Sequence, residues 1–345
     1  AMYTEHTFAE KDFALKHNED EISVDTNFAA QNFWKEALIR FFNKKSAVLG
    51  LVLIVIIVLL AVLGPGMNSY TYSGQDLSQK NFAPRVPGIE QFGILDGSEK
   101  MSTTTGTKIV NNYVEKGKDD VYYWFGSDLY GRDIWTRTWE GARVSLIIAV
   151  AAAVIDMVIG MSYGLISGYF GGRVDMVMQR FLEVANGIPR LVIVTLLLLV
   201  LQPGMVTIIF ALMLTEWVGM SRIARAEMLK LKDQEFVLAS RTLGAGSFFI
   251  IFKEVLPNII GPIITQVMFS IPTAIFTEAF LSFVGLGIPV PQCSLGSLIS
   301  ELYNSFTTHP YQIIPPIVVM SLLMLSFNLL ADGLREALDP KMKSM

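Results

Sequence analysis

The chain has 345 residues, of which 52% are hydrophobic and only 17% charged, and it carries a net charge of −4. A soluble domain ordinarily has about 25% charge, and an acidic balance offers no footprint for nucleic acid. Three His and one Cys leave no dedicated zinc cage and no intrachain disulfide framework.

Ala1 ahead of Met2 is set aside as a cloning remnant. Residues 1–45 read as a tail. Up to about Asn27 it is polar and acid-rich with little hydrophobic pattern, which predicts loose order. Phe33, Trp34, Ala37, Leu38, Phe41 and Phe42 then recur at helical spacing among Lys35, Arg40, Lys44 and Lys45. That pattern predicts an interfacial amphipathic helix. The polar lead is too long for a signal peptide. From Ser46 to Leu63 there is no charged residue and no polar stripe. At about 1.5 Å per residue this run nearly spans the roughly 30 Å hydrocarbon layer of a bilayer. It is the first predicted span.

Gly64-Pro65-Gly66 ends that span, and 64–142 is polar, turn-rich and without a span of its own. It is expected to form a small extramembrane subdomain or a wrapped loop. Apolar segments resume in a predicted core over 143–332. Val144 to Ser167 is a second span, interrupted by Asp156. Val174 to Leu201 is a third, with a kink expected at Pro189. Val206 to Ser221 is a fourth and holds Glu216, expected near the inner surface. Ile259 to Leu286 is a fifth, broken by Pro262 and Pro272, and Ile313 to Leu330 is a sixth. Residues 333–345 form the closing tail.

Six spans put both ends of the chain on one side. Arg222, Arg225, Lys230, Lys232, Arg241 and Lys253 crowd the segment between spans four and five, whereas Gln202 to Met205 and Gly287 to Gln312 hold no Lys or Arg. The positive-inside rule therefore predicts cytoplasmic termini and an extracytoplasmic 64–142 loop.

No catalytic pattern is present. The sequence lacks G-x-x-x-x-G-K-[ST], H-E-x-x-H and G-x-S-x-G, so no P-loop binds ATP in this chain. Ser73-Gly-Gln-Asp76 is a chance fragment of an ATPase signature. The informative stretch lies between spans four and five. Glu235, Phe236, Val237, Leu238, Ala239, Ser240 and Arg241 carry on to Leu243 with good helix formers, and an acidic residue stands where the dipole favours it. Gly244, Ala245 and Gly246 follow, and the two glycines are expected to stop the helix. A short helix, a glycine turn and Pro257 at the next span make a rigid knob joined to two spans. The bland alternative is an ordinary solvated loop helix.

The segment resembles the E-A-A---G---------I-L-P loop of the membrane subunits of binding-protein-dependent ABC importers. Ala239, Gly244, Leu256 and Pro257 stand at the matching spacing, while Leu238, Ser240 and Glu254 replace the usual Glu, second Ala and Ile. Three further stretches resemble the C-type permease subunits for oligopeptides, dipeptides and nickel. They are Phe125 to Asp133 with Gly141 to Leu146, Glu278 to Gly287, and Phe327 to Pro340. The 64–123 region does not match obviously and looks like an enlarged insertion. The resemblance implies an all-α integral membrane protein of six transmembrane helices in the type I ABC importer permease fold. It further implies a heterodimer with a second, homologous permease, in a bacterial plasma membrane. Two ATPase subunits would hold ATP and Mg, and an extracytoplasmic peptide-binding protein would deliver the peptide. In that family the 235–246 helix docks on the ATPase. The chain itself would have no cofactor, no metal and no catalytic residue.

A carboxylate inside a span is costly and marks a functional-site candidate. Glu278 is the foremost, either facing the translocation path or holding a structural hydrogen bond. Asp156 and Glu216 pose the same choice more weakly. Gly160, Gly164 and Gly168 fall on nearly one helix face, for a sliding contact or for static packing. The sixteen Met residues read as adaptable packing. Cys293 and His309 read as bystanders, His309 at the surface. Two other function classes stay open: an ion-coupled secondary transporter using Asp156 and Glu278, and a receptor or scaffold displaying the external loop.

Overall fold

A computed structural model describes residues 33–103 and 106–338. The acid-rich stretch before Phe33 and the last residues of the closing tail lie outside them. Helix α1 (Phe33–Asn43) turns at Lys44 into α2 (Lys45–Leu63), the first span. A neutral, all-round apolar run has only one stable choice in a bilayer, since a helix pairs all of its own backbone groups there. One side of α2 closes against the last helix, α14 (Ile314–Leu338), and the rest of it stays exposed to the apolar phase.

The described residues of 64–133 form a cap at one end of the bundle. It contains the antiparallel hairpin β1 (Ser98–Thr103) and β2 (Gly106–Asn111), with Glu99 opposite Val110, and a short helix α3 (Asn112–Glu115). Neither the hairpin nor α3 was signalled by the sequence, and the hairpin is an addition to an otherwise helical fold. Its core is aromatic: Phe82, Tyr113 and Tyr123 are buried together, with the Phe82 and Tyr113 rings 4.5 Å apart. Tying the cap to the bundle, Gln312 Nε2 donates to Asn81 Oδ1 and to the Ser127 carbonyl, both at 3.0 Å.

Helix α4 (Ile134–Ile155) begins well before the apolar run, inside the stretch expected to be loop. Its first turns are polar but buried, so hydropathy misses them. Asp133 caps it, accepting from Thr136 N at 2.8 Å. A π turn at Asp156–Gly160 joins α4 to α5 (Met161–Phe170), making one crossing of Ile134–Phe170. The third predicted span is two helices, α6 (Gly172–Gly187) and α7 (Arg190–Val200), bent by 79° at the expected Pro189.

The fourth span, α8 (Met205–Thr215) continued by α9 (Trp217–Leu231), runs ten residues beyond its apolar stretch. Helix α10 (Glu235–Thr242) follows. Then α11 (Ser247–Phe249), a π turn at Ile250–Val255 and α12 (Leu256–Phe283) form one continuous helix through Pro262 and Pro272. The two prolines do not break it. Each removes a single ladder bond, whereas ending the helix in hydrocarbon would free several polar groups. Helix α13 (Leu295–Tyr303) lies between α12 and α14 at the cap end. Five helices are long and apolar enough to cross a membrane, and counting the bent pair α6–α7 as one crossing gives six.

Candidate functional site

At the end of the bundle opposite the cap, α10 sits in the chain between the long helices Met205–Leu231 and Ser247–Phe283. Its inward residue is Val237, fully buried among Leu165, Met228, Ile250, Ile251 and Val255. Burying such a side chain stabilises by about 1.5–3 kcal/mol. Ala245 packs partly against the same cluster, as does Leu256. The Arg241 guanidinium lies 4.9 Å above the Tyr169 ring, fixing the far edge of α10 to α5. The helix closes with Leu243 N donating to Ala239 O and Ala245 N to Ser240 O, both at 3.0 Å. That closure sends the chain through Gly244 at φ +84°, a left-handed position that suits glycine. Gly246 is extended at φ −68° and starts α11, so Gly244 alone supplies the stop.

Of the ten residues singled out between Glu235 and Gly246, only Val237 is buried. Glu235, Phe236, Leu238 and Ala239 face outward, Ser240 is half-buried, and Leu243 beside the turn is 87% exposed. The short helix is held from below, with Phe236, Leu238 and Leu243 exposed on its outer side.

Glu278 turns out to be a structural joint. It is fully buried, and Ser282 Oγ donates to its Oε1 at 2.7 Å. Ser294 Oγ also donates to Oε1, and Ser145 Oγ reaches Oε2 at 3.4 Å. Ser294 is itself the N-cap of α13, accepting from Ser297 N at 3.0 Å. One carboxylate thus pins α4, α12 and α13 together.

Asp156 and Glu216 behave otherwise. Both wall a cavity of about 250 Å³ with Asn186, Arg222, Ser270 and Thr273. Glu216 lies toward the α9 end of the apolar Val206 to Ser221 run, within the continuous helix Met205–Leu231. Thr277 Oγ1 approaches its Oε1 at 3.5 Å. The glycines resolve as static packing. A β-carbon at Gly160 would lie 2.6 Å from Trp217 O, one at Gly164 2.1 Å from Ser221 O, and one at Gly168 2.8 Å from Met228 Cβ. They let α5 and the preceding π turn lie directly on α9.

Sequence reasoning missed a buried ion cluster at the foot of the cap. Asp128 Oδ2 accepts from Arg132 Nε and from an Arg137 guanidinium nitrogen, both at 2.7 Å. Glu301 of α13 closes the cluster, accepting from Arg137 at 2.7 Å and from Arg132. The Phe125 to Asp133 motif is therefore a fixture holding the cap to α4 and α13. His309 is not a surface residue either. It is buried, and its Nδ1 lies 2.9 Å from Glu99 of β1. Cys293 is buried with its thiol against the Arg137 carbonyl at 3.4 Å. Among the described residues no group of His, Cys, Asp and Glu is arranged to hold a metal.

Two family models match the chain. Residues 160–344 match the binding-protein-dependent transport system inner membrane component, and residues 32–84 match the N-terminal transmembrane domain of oligopeptide transport permease C. The oligopeptide transport system permease protein OppC of Bacillus subtilis is 41% identical over 90% of this chain and 91% of its own length. The dipeptide transport system permease protein DppC of Lactococcus lactis is 40% identical over 96% of this chain and 97% of its own. The chain belongs to the binding-protein-dependent transport permease family. A solved structure of the MetNI methionine ABC transporter, inward facing, superposes with a TM-score of 0.50 at 16% identity, covering 58% of this chain and 94% of that one. The fold is that of a type I ABC importer permease.

Proposed function

We propose that this chain is one of two membrane-spanning subunits of an ATP-driven importer of oligopeptides, working beside a second, related permease in a bacterial inner membrane. Two ATPase subunits, which hold ATP and Mg, grip α10 and its counterpart. An extracytoplasmic peptide-binding protein docks at the cap end, and both termini are cytoplasmic. The names of the similar permeases support the substrate class, and the basic residues around α10 support the orientation.

The observation that carries the coupling role is α10 itself. Buried Val237 and the Arg241–Tyr169 contact hold its base, while Phe236, Leu238 and Leu243 remain bare. A partner that closes on that face moves α9 and α12 together, because α10 lies between them in the chain. ATP binding would draw the two ATPases together and turn the cavity outward, and hydrolysis would reset it. An ion-coupled carrier or a display scaffold leaves this anchored, bare-faced helix without a role.

The test is reconstitution with the ATPase subunits, comparing the natural chain with Gly244→Asp. At φ +84° a residue with a β-carbon costs on the order of 1 kcal/mol, and the turn beside Leu243 is expected to distort. Nothing stands within 4 Å of that β-carbon, so the bundle itself should fold. Peptide-stimulated ATPase activity is expected to collapse while membrane insertion persists. Normal transport without any ATPase would overturn the proposal.

A further inference from the structure

We propose that helix α6 is the seam between the two permeases: its apolar stripe of Val174, Val177, Phe181 and Val184 receives a helix of the second permease, an assignment that rests on the importer reading. The four side chains are 46%, 68%, 58% and 68% exposed. Their spacing of three, four and three residues is that of a and d positions in a coiled coil. At 3.6 residues per turn they share about 80° of the helix circumference. The roughly opposite side is already engaged with the chain's own bundle. There Asp175 accepts from Arg225 Nε and Nη2 of α9, both at 2.6 Å, and from Ser167 Oγ of α5 at 2.5 Å. Gln179 Nε2 donates to Ser167 Oγ at 3.1 Å, and Leu182 is buried with Trp217 and Val218.

Depth and charge decide what covers the stripe. From Asp175 beside Ser167, α6 climbs along α5. The Met178 carbonyl accepts from Tyr163 Oη at 2.8 Å, and Leu182 reaches Trp217 in the apolar Val206 to Ser221 run. The later turns of α6 therefore lie in the membrane layer. On them Arg180 and Glu183 form an ion pair, 2.5 Å apart and 76% and 58% exposed. Hydrocarbon is a costly surrounding for such charges, so lipid fits this side of α6 poorly. Water suits the ion pair but not a continuous row of bare apolar side chains. A helix packed along the stripe answers both. It covers the three valines and Phe181, and it leaves Arg180 and Glu183 at the edge of a wet path between the subunits. Side chains repeating every three and four residues interlock with another helix, and in a membrane such van der Waals interlocking joins helices. The ATPases and the binding protein stand outside the layer, which leaves the second permease as the partner at this depth.

The assignment is tested in the complete importer, with photoreactive benzoylphenylalanine placed singly at Val177, at Val184, or at Val55 on the exposed side of α2. Illumination is expected to join this chain to the second permease from Val177 and from Val184, and not from Val55, with mass spectrometry identifying the partner. An absence of protein adducts, which marks a lipid-facing stripe, overturns the seam. So does an adduct between two copies of this chain, or one with an ATPase. In parallel, Val177→Lys is expected to lower the amount of second permease that co-purifies with this chain about tenfold, the scale of one well-packed interface side chain. Met176→Lys, off the stripe and 63% exposed, should retain it. Full retention in Val177→Lys also counts against the seam. A natural complex that imports peptide but yields no permease adduct sinks the seam alone. A natural complex with no second permease overturns the importer reading, and the seam with it.

Discussion

Glu278 and Asp156 are both acidic residues in the interior of a membrane bundle, and they are treated in opposite ways. Around Glu278 three hydroxyls converge from α4, α12 and the cap of α13, and backbone packs tightly beside it. A β-carbon at Gly296 would stand 2.3 Å from Ala279 Cα, and one at Gly141 3.0 Å from Ser294 C. At Asp156 the helix loosens into a π turn, one oxygen is unpaired, and a cavity opens. A carboxylate in a span is thus a question rather than an answer. What decides it is whether its hydrogen bonds are closed within the fold.

The largest expected effect breaks the closed site. Glu278→Ala takes the acceptor away from three buried serine hydroxyls, a loss of about 1–3 kcal/mol for each one left unsatisfied. The variant should melt well below the natural chain in detergent, with loss of transport following loss of fold. Asp156→Asn should leave the melting temperature unchanged or higher, since it replaces a buried carboxylate with a neutral amide of the same shape. If the two variants destabilise alike, the distinction between a closed and an open carboxylate fails.

The next effect tests the packing of α5 on α9 beside the open site. Gly164→Val pushes a side chain into Ser221 O and should force α5 from α9 at a cost of about 1–3 kcal/mol. Peptide uptake and thermal stability should then fall together. Tolerance of valine would mean that the two helices slide rather than lock.

The smallest effect concerns pH at the cap. Burial alone would raise the Glu301 carboxyl, but the Arg137 and Arg132 guanidiniums outweigh it and hold it below its ordinary value of 4.5. The carboxylate is then the form that folding favours. Its contribution is complete above about pH 4.5 and is lost as pH falls through the lower folded value. A melting series from neutral to strongly acidic pH should show this loss, and Glu301→Gln should flatten it. An unaltered acid limb in that variant would place the titrating group elsewhere.

Much of the architecture was legible in the sequence, for reasons particular residues make plain. The uncharged Ser46 to Leu63 run, the Pro189 bend and the stop at Gly244 each follow from a local rule. Helix ends were less legible where helices leave the apolar layer. The polar first turns of α4 and the basic last turns of α9 carry no hydropathy signal, yet both are helical. Least legible were partners distant in the chain. Ser145 lies 133 residues from Glu278, and Glu99 lies 210 from His309. The even spacing of Gly160, Gly164 and Gly168 marked a contact face without naming the helix it meets. The π turn that leaves Asp156 open has no sequence rule at all.

The length of the two helices flanking α10 has a mechanical meaning. Met205–Leu231 has 27 residues and Ser247–Phe283 has 37, so they are rods of about 40 and 55 Å, against a hydrocarbon layer of roughly 30 Å. The knob between them therefore rides at the tip of two levers whose fulcrum is the membrane. A few degrees of tilt carry the tip sideways by several ångströms with no backbone hydrogen bond broken. Under the coupling proposed for α10, the same tilt moves residues nearer the fulcrum less than it moves the tip, so a stroke at the knob is geared down within the bundle.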